Sequence, residues 1–204
     1  MIGLLEGPGV VVAPRLLGME LQRGPVRVRI TEVEAYGGPE DSASHARFGR
    51  TRRNGPMWGP PGRAYIYLCY GIHRMLNVTV GPEGCAGAVL IRAGEVVEGL
   101  EDVRGRRRSA SQADRLLAGP GRLGQGLGLQ VSETGGSLLG EEMGGSWQEA
   151  LGPVRLVEGK PPIGVRVGTR VGIDFARPED RERRWRFAVE GTRAVTHARN
   201  LCST

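Results

Sequence analysis

The chain has 204 residues and a mass of 21.9 kDa, enough for one sizeable core. Its 39% hydrophobic and 25% charged residues are ordinary for a globular domain in water. No apolar run reaches the roughly 20 residues needed to span a bilayer, so an integral helical membrane protein is set aside. The net charge of +6 and pI near 9.9 point instead to a phosphate-bearing partner.

Other composition cues are negative or ambiguous. The start carries Glu6 before the run Val10–Val12 and no basic opening, so a secretory signal is not expected and a cytoplasmic protein is. Cys69, Cys85 and Cys202 are too few and scattered for a disulfide framework. Cys69, His73 and Cys85 lack a paired Cys-x-x-Cys and a fourth ligand, so no metal is expected. Lys160 is the only lysine among 28 basic residues, so part of the basicity reflects composition bias. The runs Arg104, Arg106, Arg107, Arg108 and Arg181, Arg183, Arg184, Arg186 are candidate phosphate contacts, with a solvated surface as the competing reading.

In chain order, Pro25–Tyr36 reads as a strand, with Val26, Val28 and Ile30 alternating with Arg27, Arg29 and Thr31. If it continues, Glu32, Glu34 and Tyr36 share one face and Val33 and Ala35 the other, with the carboxylates about 7 Å apart. Gly37–Pro39 end it. Glu40, Asp41 and Ser42 then cap a short helix carrying His45. Arg47 to Arg63 reads as a basic, turn-rich loop.

Arg63–Cys69 is a second strand with Tyr65, Tyr67 and Cys69 on one face and Ile66 and Leu68 on the other. Tyr70–His73 turn the chain and Met75–Val80 returns, a hairpin with a tyrosine at its tip. Core packing explains Tyr65 well and an exposed Tyr70 poorly. Ala88–Arg92 is an apolar strand ending in a cation. Gln112–Leu117 reads as helical, and the Gly119, Gly121, Gly124 match to G-x-G-x-x-G is set aside because a helical stretch rather than a strand precedes it and Pro120 occupies the turn. Ser132–Ser146 reads as an exposed, mobile glycine-rich loop within a single domain spanning 1–204, and Val165–Ile173 and Arg186–Glu190 as strands.

All four tyrosines and two of three histidines fall between Glu32 and Asn77, a concentration that marks a site. The block Glu32-Val33-Glu34-Ala35-Tyr36, Gly38-Pro39-Glu40-Asp41, Ser44-His45-Ala46, Arg53-Asn54, Met57, Tyr65-Ile66-Tyr67, Tyr70-Gly71, His73 and Asn77 resembles the alkyladenine (3-methyladenine or methylpurine) DNA glycosylase family. Leu16-Leu17-Gly18, Leu90-Ile91-Arg92-Ala93, Gly119-Pro120-Gly121-Arg122-Leu123 and Arg170-Val171-Gly172-Ile173 extend the resemblance over nearly the whole chain. Trp58 and Thr196 depart from it, standing where phenylalanine and serine are usual.

The resemblance implies an α+β domain with a curved, mainly antiparallel sheet, short helices and a protruding DNA-inserting hairpin. It implies a monomer acting without cofactor on double-stranded DNA containing damaged purines. Tyr36, His45 and Tyr67 would wall the pocket for an extruded base, Asn77 would exclude normal guanine, and Tyr70 would fill the vacated stack. Glu34 would activate water for attack on the sugar C1′ and Arg92 would help hold that water, with Glu32 as support. Two rivals use the same residues: a glycoside hydrolase with Glu32 and Glu34 as its acid pair, and a single-strand binder with the tyrosines as stacking platforms.

Overall fold

Glycine and proline interrupt the chain so often that its helices stay short. The computed structural model describes residues 1–107, 112–140 and 150–203. The strands are β1 Glu20–Arg23, β2 Val26–Tyr36, β3 Ala64–Cys69, β4 His73–Thr79, β5 Ala88–Glu98, β6 Leu117–Ala118, β7 Arg155–Val157, β8 Val165–Gly168, β9 Arg186–Val189 and β10 Leu201–Ser203. The helices are α1 Ile2–Leu5, α2 Gly9–Leu16, α3 Leu100–Arg107, α4 Pro120–Gly126 and α5 Pro178–Glu182. The strands join one sheet in the order β10-β8-β9-β2-β5-β4-β3, with β1 bridging β2 to β7 and β6 on β5. Every pairing among the described residues is antiparallel. This is the expected α+β architecture.

The long central strands β2 and β5 carry the core. Val28, Ile30, Val33 and Ala35 of β2 and Val89 and Ile91 of β5 are fully or almost fully buried, with α2 packed on β2 and α4 against β4 and β5. The apolar positions of β2 change parity midway, from even numbers up to Ile30 to odd numbers from Val33. A strict two-residue period would have put Ile30 and Glu34 on one face. Two adjacent register shifts resolve this: Ile30 pairs with Gly94 and Glu32 with Ala93, leaving Thr31 extra, and Val33 pairs with Ile91, leaving Arg92 extra. Such bulges re-aim side chains, and these turn the far half of β2 over so that its acids face away from the core.

Three local expectations are corrected. Glu40, Asp41 and Ser42 do not cap a helix. The turn carrying His45 is a short 3-10 helix, His45–Phe48, capped by Ser44, whose hydroxyl accepts from the Ala46 amide at 3.1 Å. Asp41 is instead fully buried against Arg170 at 2.6 Å, and Ser42 bonds Asp180 at 2.5 Å. The segment read as helical over 112–117 holds one 3-10 turn, Ala113–Arg115, followed by β6. Within Ser132–Ser146, Glu133 and Leu138 are fully buried, and Arg23 pairs with Glu133, because this stretch closes over β3 rather than hanging in solvent. Residues 141–146 of that stretch, and Arg108, lie outside the described residues.

Because β6 precedes Gly119 and α4 follows it, one of the two reasons for setting aside the glycine pattern does not hold, while Pro120 still occupies the turn. The glycines have a packing explanation. A Cβ on Gly124 would stand 2.0 Å from the Arg74 carbonyl oxygen, and one on Gly121 2.7 Å from the His73 ring. They let α4 lie directly on β4, the returning strand of the tyrosine hairpin. Helix propensity alone would favour alanine by about 1 kcal/mol. Contact with immovable backbone outweighs that, so Gly124→Ala is expected to destabilise by about 1–3 kcal/mol in denaturant unfolding. A stabilised variant would show that α4 can lift off β4 freely.

Candidate active site

The register places five residues in one row across the sheet. Tyr65 pairs with Asn77, Asn77 with Leu90, Leu90 with Glu34 and Glu34 with Arg186. Paired residues share a face, so the row lies on the side away from the main core. Above it opens a cavity of about 570 Å³ lined by Tyr36, His45, Tyr67, Tyr70, Asn77 and Arg92, among others. Six of the seven residues singled out from the sequence therefore meet at one cavity. The seventh, Glu34, is fully buried beneath it.

Glu34 reaches the cavity through three groups that line it. Its Oε1 accepts the Val171 amide at 2.7 Å, and its Oε2 accepts the Tyr36 hydroxyl at 2.9 Å and Arg92 Nη1 at 3.1 Å. Burial and the neighbouring Glu34 charge push the Tyr36 pKa up, so this hydroxyl stays protonated and donates. Burial alone would lower the Arg92 pKa, but the charges of Glu34 and Glu32 outweigh it and raise it.

Glu32 plays a different part. It is fully buried and does not line the cavity. Its Oε1 takes Arg92 Nε at 2.9 Å, Arg186 Nη1 at 3.2 Å and the Thr196 hydroxyl at 2.6 Å, while Oε2 takes the Thr196 amide at 2.5 Å. Thr196 also accepts Arg92 Nη2 at 3.0 Å. The four ionic groups alternate in sign from Arg186 through Glu32 and Arg92 to Glu34. Threonine supplies the hydroxyl a serine would, so this departure from the family pattern leaves the local chemistry intact.

The opposite wall is aromatic. His45 stands edge-on to Tyr67 with ring centroids 4.5 Å apart, and Tyr67 lies 5.5 Å from Tyr65. Tyr65 is buried, as the sequence implied, within a small cluster with Ala46, Met57 and Ala88. Its hydroxyl nevertheless serves the site, lying 2.8 Å from His45 Nδ1, with its pKa pushed up to about 12 by burial. Asn77 Nδ2 donates to the Tyr65 carbonyl at 3.0 Å, which fixes that amide at the cavity floor.

Burial, with the nearby charges of Arg53 and Arg47, lowers the His45 pKa to about 4. The imidazole is therefore neutral near pH 7. Between about pH 6.5 and 4 the unfolded chain binds a proton that the folded chain refuses, so this group makes stability fall on acidification across that window. An NMR titration of His45 is expected to show its midpoint near 4, and His45→Gln should flatten that part of the stability profile. A midpoint near 6.5 would contradict this environment.

Tyr70 is 91% exposed at the hairpin tip, with left-handed φ at both Tyr70 (+51°) and Gly71 (+71°) and the Ile72 amide bonded to the Cys69 carbonyl at 3.2 Å. Positive φ at both central positions marks a type I′ turn, and a bulky residue there costs roughly 1–2 kcal/mol. The chain holds an aromatic ring in solvent at a cost in strain, which points to function.

Sequence reasoning missed several participants. Arg170 bonds Asp41 twice, at 2.6 and 2.8 Å, and the Ala35 carbonyl at 3.0 Å, and lies 4.9 Å from the Tyr36 ring centre. It sits next to Val171 and so fixes both the Glu34 donor and a pocket wall. The Arg170-Val171-Gly172 segment of the family resemblance was the available signal. Arg53, 5.5 Å over Tyr67, likewise carried its signal only as part of the Arg53-Asn54 match in the family resemblance.

A buried acid thus lies beneath an aromatic-lined cavity on a basic sheet protein. The chain matches the sequence pattern of the methylpurine-DNA glycosylase family over residues 4–193, and it belongs to that family. It is 45% identical over 190 residues to the DNA-3-methyladenine glycosylase of Arabidopsis thaliana, covering 93% of this chain and 70% of that one. A Nitrosococcus oceani protein provisionally assigned as a 3-methyladenine DNA glycosylase is 49% identical over 178 residues, 87% of this chain and 83% of its own. A Frankia casuarinae protein with the same provisional assignment is 44% identical over 204 residues, 97% and 92% of the two chains.

Proposed function

We propose that this protein is a monofunctional DNA glycosylase of base excision repair. It extrudes an alkylated or deaminated purine from duplex DNA and hydrolyses the N-glycosidic bond with a water activated by Glu34. The observation that carries the reading is the placement of one carboxylate, neutralised by Arg92, directly under an aromatic cavity beside an exposed hairpin tyrosine. On this reading the protein works as a monomer in the cytoplasm, on nucleoid DNA, without a cofactor.

Each residue then has a task set by its surroundings. Tyr36, His45 and Tyr67 grip the base between ring faces, and Tyr70 fills the gap left in the stack. Methylation at N3 of adenine or N7 of guanine makes the base cationic and weakens its bond to the sugar. Tyrosine faces attract such a ring, and a neutral His45 does not repel it. Asn77, tied to the Tyr65 carbonyl, cannot swing away from the exocyclic amine of a normal guanine. A water replacing the Tyr36 hydroxyl on Glu34 Oε2 would stand between the carboxylate, Arg92 and the sugar. There the carboxylate takes its proton and stabilises the oxocarbenium-like sugar.

The glycoside-hydrolase rival needs a second free acid. Glu32 is committed to Arg92, Arg186 and Thr196, which argues against it. Among the described residues, neither Lys160, the only lysine, nor the Met1 amine lines the cavity, which argues against a Schiff base with the sugar. Incubation with an alkylated duplex is expected to leave an unbroken strand bearing an abasic site, with no borohydride-trapped adduct. A trapped adduct would overturn the monofunctional assignment.

A further inference from the structure

The two arginine runs most visible in the sequence are partly engaged within the protein. Arg104 pairs with Glu101, Arg106 with Asp102, Arg183 with Asp180, and Arg186 is buried on Glu32. Arg47, Arg50, Arg52 and Arg53 are different: four cations within seven residues, without an acidic partner among the described residues. Of these, Arg53 lines the cavity, and Arg47 lies two residues from His45 on the same short turn.

Arg47 is held in an unusual way. Its guanidinium carbon lies 4.6 Å from the Phe48 ring centre and 4.9 Å from that of Phe175, and its Nη1 donates to the Ser44 carbonyl at 2.9 Å. Phe48 is 84% and Phe175 62% exposed, although apolar rings of this size gain from burial. Phe175 lines the cavity and Arg47 lies two residues from His45, so the clasp ties two walls of the cavity together at its rim. An exposed cation–π contact contributes only about 0.5–1 kcal/mol. That is a weak reason to leave two phenylalanines in water.

We propose that Arg47, clasped by Phe48 and Phe175, is a phosphate contact for the DNA strand whose nucleotide enters the cavity. The proposal rests on the DNA-glycosylase reading above. Ring contacts at the guanidinium carbon and one bond from Nη1 to Ser44 leave the remaining N–H groups for phosphate oxygens. Holding the side chain in place beforehand removes part of the ordering cost of binding. Arg53 and Arg47 both depress the His45 pKa, in keeping with a positive potential at this rim.

The test is a salt titration of binding to a short undamaged duplex by fluorescence anisotropy. Loss of one phosphate contact reduces the slope of log K against log salt by about 0.9. Arg47→Ala is expected to show that reduction together with an affinity loss on the order of tenfold. Phe48→Ala, which removes an exposed ring and keeps the charge, should bind several-fold more weakly at an unchanged slope. Arg104→Ala removes a cation paired with Glu101 and should match wild type.

Wild-type affinity and slope for Arg47→Ala, or for Phe48→Ala wild-type affinity, would overturn the proposal. Equal slope losses for Arg47→Ala and Arg104→Ala would also overturn it, in favour of diffuse charge. Because the probe carries no lesion, failure of base release would leave this result standing by itself.

Discussion

Arg92→Met is expected to destabilise the protein by about 3–5 kcal/mol, because it removes the cation shared by two buried carboxylates. Glu32 would keep Arg186 and Thr196, whereas Glu34 would keep only the Tyr36 hydroxyl and the Val171 amide. Domains of this kind hold about 5–15 kcal/mol in all, so the loss should show as a large drop in denaturation midpoint. The attribution can be checked in a second background. If the cost is an uncompensated charge at Glu34, Arg92→Met combined with Glu34→Gln should be more stable than Arg92→Met alone. Strict additivity of two destabilisations would contradict the charge account.

Glu34→Gln is expected to lower the single-turnover rate of base release by about 10²–10⁴-fold, the range ordinarily supplied by a positioned general base. The amide still offers an oxygen to the Val171 amide or to Arg92, so the fold and affinity for damaged duplex should persist. This separates a catalytic group from a structural one: a single-strand binder using the same tyrosines would be indifferent to the change. A Glu34→Gln protein that releases base at the wild-type rate would remove Glu34 from the chemistry.

Much of the site was legible because it is local. The alternation in Ala64–Cys69 and the Tyr70-Gly71 turn follow from short-range rules, whereas the pocket roles of Tyr36, His45 and Tyr67 came from the family resemblance. The two bulges also leave a trace, since Val26, Val28 and Ile30 occupy even positions and Val33 and Ala35 odd ones, a parity reset that an unbroken two-residue period does not produce. Long-range contacts were not legible. Arg170 meets Asp41 across 129 residues and Arg92 meets Thr196 across 104, distances at which no periodicity speaks. The misread 112–117 segment shows tertiary pairing with β5 overriding local helix preference. The buried Glu133 shows how a glycine-rich stretch becomes structural when a charge inside the protein needs it.

The central claim is that the cavity holds a purine freed from duplex DNA and that the protein cleaves it from its sugar. The most direct measurement is single-turnover release of free base from a duplex carrying 3-methyladenine, with duplexes carrying 7-methylguanine, hypoxanthine or ethenoadenine alongside. Free 3-methyladenine, appearing in step with abasic sites in the same strand, is the predicted result. Intact lesion-bearing DNA after prolonged incubation with folded, DNA-binding enzyme, with none of the four bases released, would contradict the account.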